Sequence, residues 1–181
     1  MNIVGKRILL RNFIESDFSF YNELEQNPIT HKYESSAPDT IEIQNDFQTV
    51  LSDSTNNPRE KYQLAICLKN DMNPIGRISI KLNWSEIREW EIGWALHSNF
   101  WEKGYATEAA ELMIGYAFSD LNAHRVVAYA NTENVLSEKL MIRVGMIKDG
   151  ILREVRYCNN KWCDESIYSL LEREWRQIKK V

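Results

Sequence analysis

Two hydrophobic rhythms run along the chain, and the switches between them outline its elements. Alternating or continuous apolar runs predict strands at Arg7–Arg11, Tyr62–Leu68, Ile75–Leu82, Trp90–Leu96 and Arg125–Ala130. Met146–Glu154 and Trp162–Leu171 close the chain as two more. Between them the period lengthens. Phe20, Tyr21 and Leu24 follow Ser16 at helical spacing, which predicts a helix capped by Ser16 and stopped at Asn27-Pro28. Thr40 is placed to cap a second helix to about Leu51. A third runs to about Asp120, and a fourth from Val135 to Val144, where Gly145 stops it. Ser35–Asp39 and Ser52–Glu60 read as loops, and Asn70–Asn73 turns the strands on either side into a hairpin. The order predicts an α/β (α+β) fold in one domain over residues 1–181. Its mixed sheet of about seven strands carries about four helices on both faces. Helices lying between strands predict one parallel pair near the centre.

Composition narrows the class. A chain of 181 residues with 44% hydrophobic and 27% charged residues suits a globular protein with a sizeable core. A net charge of −4 argues against a nucleic-acid-coating role, which needs a basic footprint. No apolar run approaches the roughly 18 residues of a membrane span, and Met1–Arg7 lacks a signal-peptide pattern, so a cytoplasmic protein is expected. Cys67, Cys158 and Cys163 then read as reduced thiols, either buried bystanders or, for Cys158 and Cys163, a redox pair. No Cys/His cluster has metal-ligand spacing, and no metal site is expected.

The chemistry concentrates after the Trp90–Leu96 run. Phe100–Ala109 reads Phe-Trp-Glu-Lys-Gly-Tyr-Ala-Thr-Glu-Ala and leads from a strand into a helix. Free N–H groups and the positive dipole end at such a helix start suit a phosphate. Gly104 and Ala106 keep side chains out of the way, Thr107 offers a hydroxyl, and Lys103 offers a charge. An ordinary strand–helix connection has the same outline. Downstream, Asn134 has the form of a helix N-cap, and Ser137 lies on the same helix edge one turn on, where a serine is also tolerated on a solvated face.

Taken in order, Lys103-Gly104-Tyr105-Ala106-Thr107-Glu108-Ala109, Asn134-x-x-Ser137 and Gly145-Met146 resemble the GNAT superfamily of N-acetyltransferases. The RimJ/RimL-like branch fits best, through Arg7–Arg11, Glu91-Ile92-Gly93-Trp94, Gly150-x-Leu152-Arg153-Glu154 and Ile167–Leu171. The resemblance covers nearly the whole chain. It implies a GNAT-like, mostly antiparallel, splayed sheet that takes acetyl-CoA in a V-shaped gap between the fourth and fifth of the seven strands. It further implies that Lys103, Gly104, Tyr105, Ala106 and Thr107 wrap the CoA pyrophosphate through backbone N–H groups. Main-chain groups near Leu96 would pair with the pantetheine arm, Asn134 would hydrogen-bond the cofactor, and Ser137 would sit near its sulfur. Two positions depart from the superfamily pattern: Trp101 stands where Gln or Arg is common, and Glu102 where glycine is usual.

The implied reaction is direct attack of a neutral amine on the acetyl thioester. Family members often carry a tyrosine seven residues after the asparagine; here that residue is Met141, which moves the task of helping the thiolate leave to Ser137. Glu91 is either a general base acting through water or an outward strand residue alternating with Glu89. RimL-like enzymes can carry a glutamate where this chain has Arg156; Glu154, two residues away on a strand, would share that face. His31 and Glu34 could line the acceptor site, Trp84, Trp90 and Trp94 could wall it, and His97 and His124 read as structural. The RimJ/RimL resemblance suggests a protein N-terminal amine as acceptor. A small amine (antibiotic, polyamine or amino acid) and an acyl-CoA-binding module without turnover are the alternatives. An acidic chain favours a cationic acceptor. An open sheet edge and surface tryptophans would permit a homodimer.

Overall fold

A computed structural model describes residues 1–33 and 38–179. Among these residues the chain forms eight strands: β1 (Asn2–Val4), β2 (Ile8–Asn12), β3 (Lys61–Leu68), β4 (Pro74–Trp84), β5 (Glu89–Leu96), β6 (Arg125–Asn131), β7 (Ile147–Cys158) and β8 (Lys161–Leu171). Five α-helices accompany them: α1 (Phe18–Gln26), α2 (Thr40–Asp53), α3 (Tyr105–Ser119), α4 (Val135–Arg143) and α5 (Glu172–Ile178). The strands make one sheet in the order β1-β2-β3-β4-β5-β6-β8-β7. Every neighbouring pair is antiparallel except β5 and β6. The expected class and parallel central pair are therefore present, with β1 and α5 added.

Strand alternation divides the side chains between two faces. On one, Ile78, Ile80, Trp90, Ile92, Val126 and Ala128 pack with the apolar side of α3. Ala109, Ala110 and Ala117 of α3 are fully buried, and their small side chains let that helix lie close to the sheet. On the other face, Ala65 and Cys67 of β3 meet Tyr21 of α1 and Ile43, Phe47 and Val50 of α2. Tyr21 and Phe47 have ring centroids 5.0 Å apart at the centre of this smaller core.

The local signals hold with small shifts. Asp39, not Thr40, caps α2: its carboxylate accepts from Ile41 N and Glu42 N, while Glu42 accepts from Asp39 N. Ser16 lies within a short 3-10 turn, Glu15–Asp17, and α1 begins after it. Ser35, Ser36 and Ala37 of the expected loop lie outside the described residues, as does Glu34. Gly145 stops α4 at φ 88°, a left-handed conformation that glycine adopts without strain. Cys67, Cys158 and Cys163 are buried.

Parallel pairing between β5 and β6 decides where a site can form. It extends only over Glu89, Trp90 and Glu91 against Arg125, Val126 and Val127. Beyond that point β5 runs on to Leu96 and β6 to Asn131 without pairing to each other. The sheet is split from Ile92 onward, leaving two strand edges facing across a gap. With β1 counted, the gap lies between the fifth and sixth strands in sequence, the same two runs the resemblance named.

Candidate active site

Two cavities, of about 680 and about 490 Å³, meet at this gap. The larger lies on the α3 side, bounded by Leu96, Trp101, Gly104, Ala106, Thr107 and Arg143. The smaller is bounded by His31, Arg77, Glu91, Tyr129, Arg156 and Glu165, which strand alternation puts on the opposite face for Arg77, Glu91, Tyr129 and Glu165. Thr30, Tyr33, Trp94, Ala95, Asn134 and Ser137 line both. Asn134 and Ser137 thus stand where the two compartments join.

The larger cavity is built around the start of α3. Gly104 is its N-cap at φ 79°, and no side chain caps the helix. The first-turn N–H groups, Tyr105, Ala106 and Thr107, therefore have no intrahelical partner and no capping oxygen. By contrast α2 and α4 are closed by Asp39 and Asn134. An uncapped helix start opening into a cavity suits an anion. Glu102 adopts φ 58° and is exposed, which explains the usual glycine there: the loop needs a left-handed residue. Trp101 Nε1 donates to Leu96 O at 2.8 Å, so the departure at this position ties the loop to the edge of β5. Arg7 braces the loop from outside. Its guanidinium donates to Lys103 O at 2.8 Å and lies 4.8 Å from the Tyr105 ring centre.

Lys103 behaves differently from the expectation for its charge. Its ammonium turns back to Asn99 O at 2.8 Å, and the residue does not line the cavity. Positive charge comes instead from Lys32 and, on α4, from Lys139 and Arg143, all of which line the cavity. Arg143 donates to the Thr107 hydroxyl at 3.3 Å. The two α4 residues were missed, although their i, i+4 spacing on the helix that carries Ser137 was legible.

Helix α4 is fixed at both its start and its flank. Asn134 Oδ1 accepts from Ser137 N at 3.2 Å, leaving the Asn134 amide NH₂ as the group that can serve a ligand. The neighbouring Glu138 accepts from Tyr168 Oη at 2.6 Å and from Lys148 Nζ at 2.8 Å. Those two bonds, Lys148 first, hold the Glu138 carboxyl below its ordinary range. Burial and then the bond to Glu138 push the Tyr168 phenol up to about 12. Met141 is fully buried in the core, consistent with its having no part in chemistry.

The smaller cavity is polar. Glu91 lines it at 29% side-chain exposure, with Lys81 Nζ 3.2 Å away. Glu89, its expected companion, is buried and closed into an ion pair with Arg125 and a hydrogen bond from Asn83, so only Glu91 is available for work. Arg77 Nε donates to Glu25 Oε1 at 2.5 Å, and Arg156 Nε to Glu165 Oε1 at 2.7 Å. His31 lines the wall, and its buried Nε2 makes no hydrogen bond among the described residues, although Glu25 Oε2 lies 3.5 Å away. Trp94 walls both cavities, whereas Trp90 packs against Tyr62 in the core and Trp84 is 55% exposed at the far end of its hairpin. Glu154 does not share a face with Arg156. A bulge between Leu152 and Arg156 puts Glu154 at φ 52°, exposed, and breaks the alternation. Glu25, Arg77, Tyr129 and Glu165 were not anticipated; Glu25 and Arg77 meet only through the fold, being 52 positions apart.

Residues 7–147 match the family model described as the Acetyltransferase (GNAT) domain. The chain belongs to the GNAT acetyltransferases. This GNAT chain is 31% identical over 175 residues to the uncharacterized N-acetyltransferase YnaD of Bacillus subtilis, covering 97% of this chain and 99% of that one. A GNAT-family acetyltransferase structure from Bacillus anthracis superposes with TM-score 0.83 at 27% identity, covering 96% and 100% of the two chains. Spermidine N-acetyltransferase from Vibrio cholerae, in complex with CoA and spermine, shares the fold with TM-score 0.82 at 20% identity over 94% and 98%. As a GNAT member the chain is an acetyl-CoA-dependent N-acetyltransferase.

Proposed function

We propose that residues 1–181 form one RimJ/RimL-like domain that moves the acetyl group of acetyl-CoA to a primary amine. The observation that carries the reading is the pair of cavities joined at Asn134 and Ser137 across the split between β5 and β6. The cofactor belongs in the larger one. The uncapped N–H groups of Tyr105, Ala106 and Thr107, with the backbone of Lys103 and Gly104, would receive its diphosphate, supported by Lys139 and Arg143. The unpaired edge of β5 up to Leu96 would pair with the pantetheine arm, and the Asn134 amide would donate to it. Bound acetyl-CoA supplies an activated acetyl group and a thiol leaving group with a cysteine-like pKa, about 8.5.

The acceptor enters from the smaller cavity. Glu91 takes a proton from the ammonium, directly or through water, and a backbone N–H of split β5 stabilises the developing oxyanion. Ser137 donates to the departing sulfur and passes it a proton. One N–C bond forms and one C–S bond breaks. Of the two protons the ammonium loses, one leaves through Glu91 to solvent and the other ends on the CoA sulfur.

The RimJ/RimL resemblance makes a protein N-terminal amine the first acceptor to test. A small amine is favoured by a different observation: the acceptor-side cavity, about 490 Å³, falls in the range of about 300–1,000 Å³ typical of small-molecule sites. Free-thiol release from acetyl-CoA, measured with N-terminal peptides and with small amines, separates the readings. Release confined to peptides removes the small-amine reading, and release confined to small amines removes the other. Measurable CoA binding with no release from any acceptor would instead leave a binding module.

A further inference from the structure

The acceptor-side cavity holds a second polar station beyond Glu91. Glu165 of β8 is 9% exposed and lines the wall. Arg156 reaches Glu165 from Nε and Nη2, each 2.7 Å from the same oxygen, Oε1. Its other oxygen, Oε2, has no partner among the described residues. Tyr129 of β6 stands between the two carboxylates, because β6 lies between β5 and β8, and Glu91 is level with Val127 while Glu165 is level with Asn131. The Tyr129 phenol is pushed up from its ordinary value, first by burial and then by Glu89, Glu91 and Glu165, with Arg125 opposing. Glu91 and Glu165 thus flank that hydroxyl, with Arg156 paired to Glu165 on one side only. The other arginine in the wall, Arg77, has closed both its bonds on Glu25, at 2.5 and 3.3 Å.

We infer that Glu165 Oε2 and the Tyr129 hydroxyl form a subsite for a second cationic centre on the acceptor, while the reacting amine sits by Glu91 and Ser137. The inference deepens the acetyl-transfer reading above and rests on it. The geometry sets a length as well as a charge. Four residues along β6 and two strand spacings put the Glu91 and Glu165 Cα atoms roughly 16 Å apart. The two side chains and a short alkyl chain bearing a charge at each end together fill such a span. A primary amine with no second charge would occupy the reacting end and leave Glu165 Oε2 without a donor.

Thiol release is measured with putrescine and with n-butylamine, which differ by one terminal ammonium. A hydrogen bond to a charged group supports a preference for putrescine of roughly 10- to 100-fold in kcat/KM. The preference should collapse towards one in Glu165→Gln and narrow in Tyr129→Phe, with acetyl-CoA affinity and the thermal midpoint checked in each. Equal kcat/KM for the two amines, or an undiminished preference in both variants, overturns the subsite. Free peptides with lysine or glutamine at the second position decide the source of the charge; a lysine preference that Glu165→Gln removes assigns it to a polypeptide. If no amine is turned over, calorimetry on the protein–CoA complex still decides. Selective putrescine binding keeps the subsite and sinks the transfer reading, whereas equal or absent binding overturns the subsite itself.

Discussion

Replacing Glu108 by alanine removes the group that ties the start of α3 to the corner between β1 and β2. Its carboxylate accepts from Arg7 N at 2.7 Å, from Arg7 Nε at 2.8 Å and from Ile8 N at 3.4 Å. The side chain is 13% exposed, whereas Arg7 is 46% exposed. The ion pair with Arg7 is therefore screened and contributes only about 0–1 kcal/mol. The short bond from a backbone N–H to a half-buried carboxylate contributes about 1.5–3 kcal/mol, and the negative charge in the first helical turn about 0.3–1 kcal/mol. Glu108→Ala should then destabilise by about 2–5 kcal/mol, which lowers Tm by about 4–20 °C in a chain of this length. Differential scanning calorimetry at neutral pH measures it. Acid provides a second reading of the same clamp. Burial raises the Glu108 pKa, but bonds from the Arg7 backbone, the Arg7 side chain and Ile8 more than offset this, and the net value lies below the ordinary one. Its stabilising contribution is complete above the unfolded value, about 4.3, and is lost as pH falls through the folded value. The wild-type chain should lose this increment on acidification, and the variant should not. A destabilisation under about 0.5 kcal/mol, or parallel acid limbs for the two proteins, would refute the argument.

Three further outcomes follow from the loop and its surroundings. Glu102→Gly relieves about 1–2 kcal/mol of left-handed strain against about 0.5–1 kcal/mol of added chain entropy, so Tm should rise slightly; acetyl-CoA binding should tighten as a carboxylate leaves the diphosphate's neighbourhood, by isothermal titration calorimetry. Arg143→Ala should weaken acetyl-CoA binding about threefold to tenfold, and by less at high salt, because a screened charge is lost. Glu91→Gln should flatten the rise of kcat/KM with pH; a wild-type profile would eliminate Glu91 as the base.

Local signals in the sequence were strong where a single segment decides the outcome. The Phe100–Ala109 loop, the Asn134 cap and the Gly145 stop each sit where their own spacing put them, because capping and left-handed turns depend on adjacent residues. β1 escaped notice because three residues carry too little pattern. α5 escaped although Glu172, Glu174, Trp175 and Ile178 outline a short amphipathic helix. The acceptor-side wall was largely hidden. Glu25 and Arg77 are 52 positions apart and meet only when α1 packs on β4. Lys103 reads as the loop's cation, yet the fold turns it onto Asn99 and brings Arg143 of α4 to Thr107 instead. Glu154 shows the limit of periodicity itself, since a residue inside a bulge no longer follows the alternation of the strand around it.

The most direct test of the transfer reading compares kcat and acetyl-CoA affinity in Ser137→Ala. A hydroxyl that assists departure of the sulfur should lower kcat by roughly 10- to 100-fold when removed, with the dissociation constant for acetyl-CoA within about twofold of wild type. An unchanged kcat, or a loss of affinity that accounts for the whole fall in kcat/KM, would contradict the role given to Ser137 at the junction of the two cavities.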